Sequence, residues 1–176
     1  MNTLLLVAAL VITPTDGSLL FVENGNQVVQ NHTDSTLSHV AIILKEENDF
    51  WVYEATPPKV RKILLSDYYA EVKSLNSKKK ESRKMKLWMA NPTKPFTAAQ
   101  KETMKKYLEG ELGRKYSIGS YLNGRAGKGI HCGELVGNAL RLANLKFTDN
   151  TCQDDPWDVW DKTKTIYKDR KEINIQ

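Results

Sequence analysis

Apolar positions in the first half of the chain fall into short runs divided by polar turns, whereas the second half carries one long helical stripe. Ser18-Leu-Leu-Phe-Val22 lies between the turn signals Pro14-Thr-Asp-Gly17 and Glu23-Asn-Gly-Asn26, which predicts a short buried strand. His39-Val-Ala-Ile-Ile-Leu44 and Phe50-Trp-Val-Tyr-Glu-Ala55 are rich in β-branched and aromatic residues, and the charged stretch Lys45 to Asp49 separates them. They predict an antiparallel pair, which Pro57-Pro58 ends. Leu64 to Val72 predicts a short helix with Ser66 or Asp67 near its start, and Lys84 to Ala90 alternates charge with apolar character as a half-exposed strand does.

Further on, Pro95-Phe-Thr97 opens a helix reaching about Leu112, with Thr97 as N-cap and Gly113 where such a helix stops. A glycine-spaced loop through Gly119, Gly124, Gly127 and Gly129 follows; it lacks the Gly-Lys-Ser/Thr ending of a phosphate loop. Cys132 to Ala143 is the strongest helix, because Leu135, Val136, Ala139, Leu140 and Ala143 fall on one face. The tail after Cys152, with Trp157 and Trp160, predicts a final packed turn and strand. Helices interleaved with antiparallel strands place the chain in the α+β class. With 176 residues, 40% of them apolar, it suits a single domain over 16–176, and no internal repeat is visible.

Composition narrows the partners. The net charge of +5 suits an anionic surface, yet much of it sits in one knot, Lys78, Lys79, Lys80, Arg83 and Lys84, which reads first as a solvated loop. No specific nucleic-acid partner is expected. Cys132 and Cys152 make no disulfide framework and no paired spacing for structural zinc. His131, His32 and His39 are poor candidates for a shared ion, so neither metal nor cofactor is expected. The apolar run Leu4 to Ile12 is too short to span a bilayer and fits the core of a signal peptide over 1–15. No basic residue precedes it and no clear cleavage site follows, so a buried first strand or apolar tail competes, and localisation stays open between export and the cytoplasm.

Cys132 carries the chemistry. A thiol becomes a nucleophile at neutral pH when its pKa is lowered, and a helix N-terminus and a neighbouring histidine are the two common devices. Cys132 opens the strongest helix, whose first N–H groups favour a thiolate and can stabilise an oxyanion. For the histidine, pairing Leu44 with Trp51 sets Ala41 opposite Glu54 and makes His39 its diagonal neighbour on the same face. A one-residue slip sends the two to opposite faces. A carboxylate so placed orients an imidazole, which takes the thiol proton. His131 competes with His39 as base, disfavoured because a sequence neighbour at a helix start points away. Buried packing of the cysteine and an exposed His39–Glu54 edge pair are the alternatives without chemistry.

Asp16-Gly-Ser-Leu-Leu-Phe21, Ser38-His-Val-Ala-Ile-Ile43, Tyr53-Glu-Ala55, Leu112-Gly-Arg-Lys-Tyr116 and His131-Cys-Gly-Glu-Leu-Val136 occur in the order and rough spacing of the YiiX/YaeF-like permuted papain-fold amidases. The chain resembles that family, related to the NlpC-type cell-wall endopeptidases and the lecithin:retinol acyltransferase group, from about Asp16 to the end of the helix after Cys132. The resemblance implies a circularly permuted papain-like fold and a cysteine peptidase or amidase working through a thioacyl intermediate. It implies Cys132 as nucleophile, His39 as base, Glu54 as orienting third member and Tyr116 as a cleft-lining, substrate-binding residue. Gly133 departs from the family's usual Ser. The substrate class implied is a peptide or other amide, with cell-wall peptides and lipid amides both open, as is oligomeric state. A noncatalytic binding module of the same fold and a lipid acyltransferase using the same thiol are the competing readings.

Overall fold

The computed structural model describes residues 12–145 and 150–175, so most of the expected leader or apolar tail lies outside the described residues. Strands β1 (Ser18–Glu23), β2 (Leu37–Glu46), β3 (Asp49–Thr56), β4 (Lys59–Leu64), β5 (Lys86–Asn91) and β6 (Asp169–Ile173) form one antiparallel sheet in the order β4-β3-β2-β1-β5-β6. Helices α1 (Gln27–Thr33), α2 (Leu65–Asn76), α3 (Ala98–Gly110), α4 (Gly119–Asn123), α5 (Cys132–Leu142) and α6 (Pro156–Lys162) surround it. The architecture is the expected α+β one.

β1 is apolar from Leu19 to Val22 because both its faces are covered. Leu19 and Phe21 join Val40, Ile42, Tyr53, Met104, Leu108, Leu135 and Val159 in one core, while Leu20 and Val22 join Ala41, Ile43, Val52, Tyr68 and Val72 in the other. The first core lies between the sheet and α3, α5 and α6, and the second lies beneath α2. Side chains alternate between the faces of a strand, so a central strand under two layers reads as a continuous hydrophobic run.

The β2–β3 hairpin adopts the register predicted for it, Leu44 opposite Trp51. Its loop is tighter than the charged stretch suggested: both strands continue to the Glu46–Asp49 pair, leaving Glu47-Asn48 as the turn. Thr97 caps α3 through a reciprocal capping box with Gln100, and Gly113 takes the left-handed φ of 83° shortly after the helix ends.

Four elements differ from expectation. β4 follows Pro57-Pro58 directly, its Val60 buried and Arg61 pointing across the sheet, where no strand was predicted. α1 forms because the Asn26 side chain accepts from Val28 and Val29 N–H, in a stretch too polar to show an apolar stripe. α4 follows Ile118 within the glycine-rich loop. α6 replaces the expected turn: Asp155 and Asp158 form a capping box and Pro156 stands at the first helical position. Of the two tail tryptophans only Trp160 packs, edge-on to Phe21 at 5.0 Å, whereas Trp157 is exposed.

Candidate active site

The register of the hairpin decides what His39 can touch. Glu54 shares a sheet face with Val52, His39 shares it with Ala41, and His39 Nε2 donates to Glu54 Oε2 at 2.6 Å. Beside them the ladder is irregular: Val22 pairs with His39 but Glu23 pairs with Leu37, so Ser38 is an extra residue. Such a bulge re-aims neighbouring side chains. The Ser38 hydroxyl accepts from Gly25 N–H at 2.8 Å and Asn26 N–H at 3.0 Å, and donates to the Val22 carbonyl. A Cβ on Gly25 would lie 3.0 Å from that hydroxyl, so the loop is seated tightly against the start of β2.

The carboxylate of Glu54 is buried and fully engaged. Its second oxygen accepts from Arg61 Nε at 2.7 Å, and the same guanidinium holds Glu71 through both terminal nitrogens. Burial pushes the Glu54 pKa up, but the hydrogen bond and charge of His39, with the charge of Arg61, bring it below the usual carboxylate value. Glu54 is therefore ionised beside the imidazole, and burial of that charge is compensated on both sides. Arg61 is a member that sequence reasoning missed. Its only advance signal is alternation in Lys59-Val-Arg-Lys-Ile-Leu64 that would have marked β4.

Cys132 is the first residue of α5 and only 3% exposed. Its thiol is acted on by both His39 and His131. Burial alone would raise the thiol pKa; the hydrogen bonds and positive charges of His131 and His39 overcome it and bring it down to about 6. For His39, burial acts downward, while hydrogen bonds to Cys132 and Glu54 and their charges push it up to about 10. Both shifts favour a thiolate–imidazolium pair at neutral pH. Since Nε2 serves Glu54, Nδ1 is the nitrogen left to serve the sulfur.

His131 nonetheless acts on the thiol of its sequence neighbour and helps bring its pKa down, an influence that the expectation for a helix start left out. It is occupied, however. Nδ1 accepts from Glu134 N–H at 3.3 Å as the α5 N-cap, and Nε2 donates to the Cys152 carbonyl at 2.9 Å. Glu134, buried one turn on, accepts from the Ser120 hydroxyl at 2.6 Å and lies 3.5 Å from the Cys152 sulfur. The Gly133 departure has a steric reason: a Cβ there would stand 1.8 Å from the Asp154 carbonyl oxygen, so the segment around Thr151 to Asp155 can lie on the helix start only over glycine.

A cavity of about 180 Å³ opens beside this group, lined by His39, Glu54, Arg61, Tyr68, Thr56 and Tyr116 among others. Burial and the nearby Cys132 charge raise the Tyr116 pKa, so its hydroxyl stays protonated. The arrangement places an oriented imidazole and a phenol on one cleft, with the buried Cys132 thiol interacting with that imidazole. It can support attack on an acyl carbon with proton return to a leaving group.

A family model for the permuted papain-like amidase enzymes, YaeF/YiiX, C92 family, matches residues 13–155. No curated protein matches the chain. Among solved structures, one described as the metalloprotein YiiX from Escherichia coli O157:H7 superposes with a TM-score of 0.62 at 15% identity, covering 93% of this chain and 98% of that one. At that identity the likeness concerns the fold. The residues here do not suit a metal: His39 Nε2 and both His131 nitrogens are engaged, and among the described residues no group of three His, Cys, Asp or Glu is placed to hold an ion. No helix among the described residues is long and apolar enough to cross a membrane.

Proposed function

Because the chain belongs to the permuted papain-like amidases of the YaeF/YiiX, C92 family, we propose that it cleaves an amide bond with Cys132 as nucleophile, His39 as acid–base and Glu54 as orienting carboxylate. The Cys132 thiolate attacks the carbonyl carbon, and the oxyanion that forms lies near the first N–H groups of α5, which have no intrahelical acceptor. The protonated His39 gives its proton to the leaving nitrogen, the carbon–nitrogen bond breaks, and a thioester remains on Cys132. Neutral His39 then takes a proton from water, whose oxygen attacks the thioester. Collapse frees the carboxylic acid and restores the thiolate–imidazolium pair. Glu54 stays ionised throughout and stabilises the imidazolium. Tyr116, on the cleft wall, contacts the substrate.

The observation that carries this reading is the His39–Glu54 bond at 2.6 Å, together with the interaction of that imidazole with the Cys132 thiol at the start of α5. His131 fits the base role less well, because its Nδ1 lone pair is spent on the helix cap. The test is stoichiometric alkylation of the native protein by iodoacetamide, with the modified residue mapped by mass spectrometry. Rapid modification at Cys132 with a midpoint near pH 6, abolished in Cys132→Ala, is expected. Modification no faster than that of a free thiol would overturn it.

A further inference from the structure

The Lys78–Lys84 knot is more than a solvated loop. A cavity of about 750 Å³ lies between this loop and the Asn24–Thr36 segment, within the size range of small-molecule sites. Lys78, Lys79, Lys80 and Arg83 form one wall, amide side chains such as Gln30 and Asn31 form the other, and Asp34 is the single carboxylate on the lining. Lys79 is tied to the Asn24 carbonyl at 3.3 Å, and Glu81 pairs with Lys84. Lys78, Lys80 and Arg83 have no ion-pair partner among the described residues.

This cavity meets the cleft of His39 at Gly25, which lines both. The junction is braced from either side: Gly25 N–H donates to Ser38 beside His39, and the Asn24 amide donates to the Lys84 carbonyl. Asn76 bonds Met85 through both N–H and carbonyl, closing the base of the loop. The cationic wall is thereby held at a fixed place relative to the reacting groups. Apart from Gly25 the lining residues are polar or charged, and three cations without an ion-pair partner against one carboxylate exceed what a single carboxylate neutralises. A phosphate group, with up to two charges and three acceptor oxygens, matches them.

We infer that the groove between Asn24–Thr36 and Lys78–Arg83 binds a phosphate group of the substrate, so that the amide presented to Cys132 belongs to a phosphate-bearing molecule. This rests on the proposed thiol chemistry for its link to Cys132, but the groove itself is separately testable.

Two alkylating probes differing only in phosphate, N-iodoacetyl-O-phosphoethanolamine and N-iodoacetylethanolamine, are compared on the native protein. The phosphate probe is expected to modify Cys132 about tenfold faster at low salt, and Lys78→Gln, Lys80→Gln, Arg83→Gln combined should bring the two rates to parity. Equal rates on the native protein, or an advantage that survives the triple substitution, would overturn the inference. Should the neutral probe leave Cys132 unmodified, the thiol reading fails instead, and calorimetric titration with inorganic phosphate judges the groove alone. Binding lost in the triple variant supports it; no binding to the native protein, or binding kept by the variant, ends it. Retention on phosphatidylcholine vesicles containing phosphatidic acid, lost in the triple variant, assigns the phosphate to a lipid headgroup. Phosphate binding without such retention assigns it to a soluble molecule.

Discussion

On the strand side of the site, His39, Glu54 and Arg61 stand on three adjacent strands, joined by charge-assisted bonds of 2.6 and 2.7 Å that the sheet register alone aligns. On the helix side, Cys132 stands at the first residue of α5, and its surroundings are set by chain segments lying directly on that helix: the Cys152 carbonyl on His131, the Asp154 carbonyl over Gly133. The strand side is a chain of charges held by a lattice with period two, tolerant of local volume and sensitive to charge. The helix side is a close backbone contact, tolerant of charge and sensitive to a single added carbon. Substitutions on the two sides should accordingly fail in different currencies, chemistry on one and folding on the other.

The largest effect is expected on the strand side. His39→Ala should lower kcat/KM by about a thousandfold, within the range for losing a general acid–base group. The thiolate loses one of the two histidines that pull its pKa to about 6, so the alkylation midpoint should rise toward the ordinary thiol value. A midpoint that stays put would hand the thiol to His131.

Gly133→Ala tests the other side in the other currency. The added Cβ falls 1.8 Å from a backbone oxygen, which cannot swing aside as a flexible side chain can. A loss of about 3 kcal/mol in denaturant unfolding is expected, at the upper end for overpacking. A cost well under 1 kcal/mol would mean the 151–155 segment is not seated on the helix as described.

Glu54→Gln sharpens the charge argument by removing one charge at nearly constant shape. About a tenfold loss of turnover is expected, the value of one hydrogen bond to a charged group. The sign of the pH effect follows from the direction of the shifts. Glu54 helps hold the His39 pKa up at about 10, and the proposed mechanism needs the imidazolium. Without the carboxylate that pKa falls, so the alkaline limb of kcat/KM moves to lower pH, while the acid limb, set by the thiol near 6, moves much less. A full pH–rate profile with an unmoved alkaline limb would show that Glu54 does not act on His39.

The same contrast explains how far the amino-acid sequence could be read. The hairpin register was legible because both strands are short runs rich in β-branched and aromatic residues and a charged stretch marks the turn; a single assumed pair, Leu44 with Trp51, then carried His39 to Glu54. The amphipathic face of α5 and the Thr97 cap are equally local signals. Arg61 was not legible, since it stands on a strand, β4, whose alternation is masked by three basic residues and a preceding Pro-Pro. Nor were the seat of Asp154 over Gly133, the occupied His131 ring or the groove beside Gly25. Each depends on a segment distant in sequence arriving at a particular depth, which no periodicity encodes.

The smallest expected effect separates the two histidines most cleanly. His131→Ala removes the acceptor for Glu134 N–H and should cost about 1 kcal/mol, the usual value of a lost N-cap. His131→Asn supplies a side-chain oxygen in its place, and Asn is among the best capping residues, so most of that loss should return. If His131 serves the helix, thermal unfolding should order the proteins native, Asn, Ala, and the alkylation midpoint should rise less in either variant than in His39→Ala. If it serves the thiol instead, Asn restores nothing chemical: the midpoint rises as far in His131→Asn as in His39→Ala, whatever the stability does. Unfolding and alkylation measured on one set of proteins thus decide whether the helix side contributes position alone or charge as well.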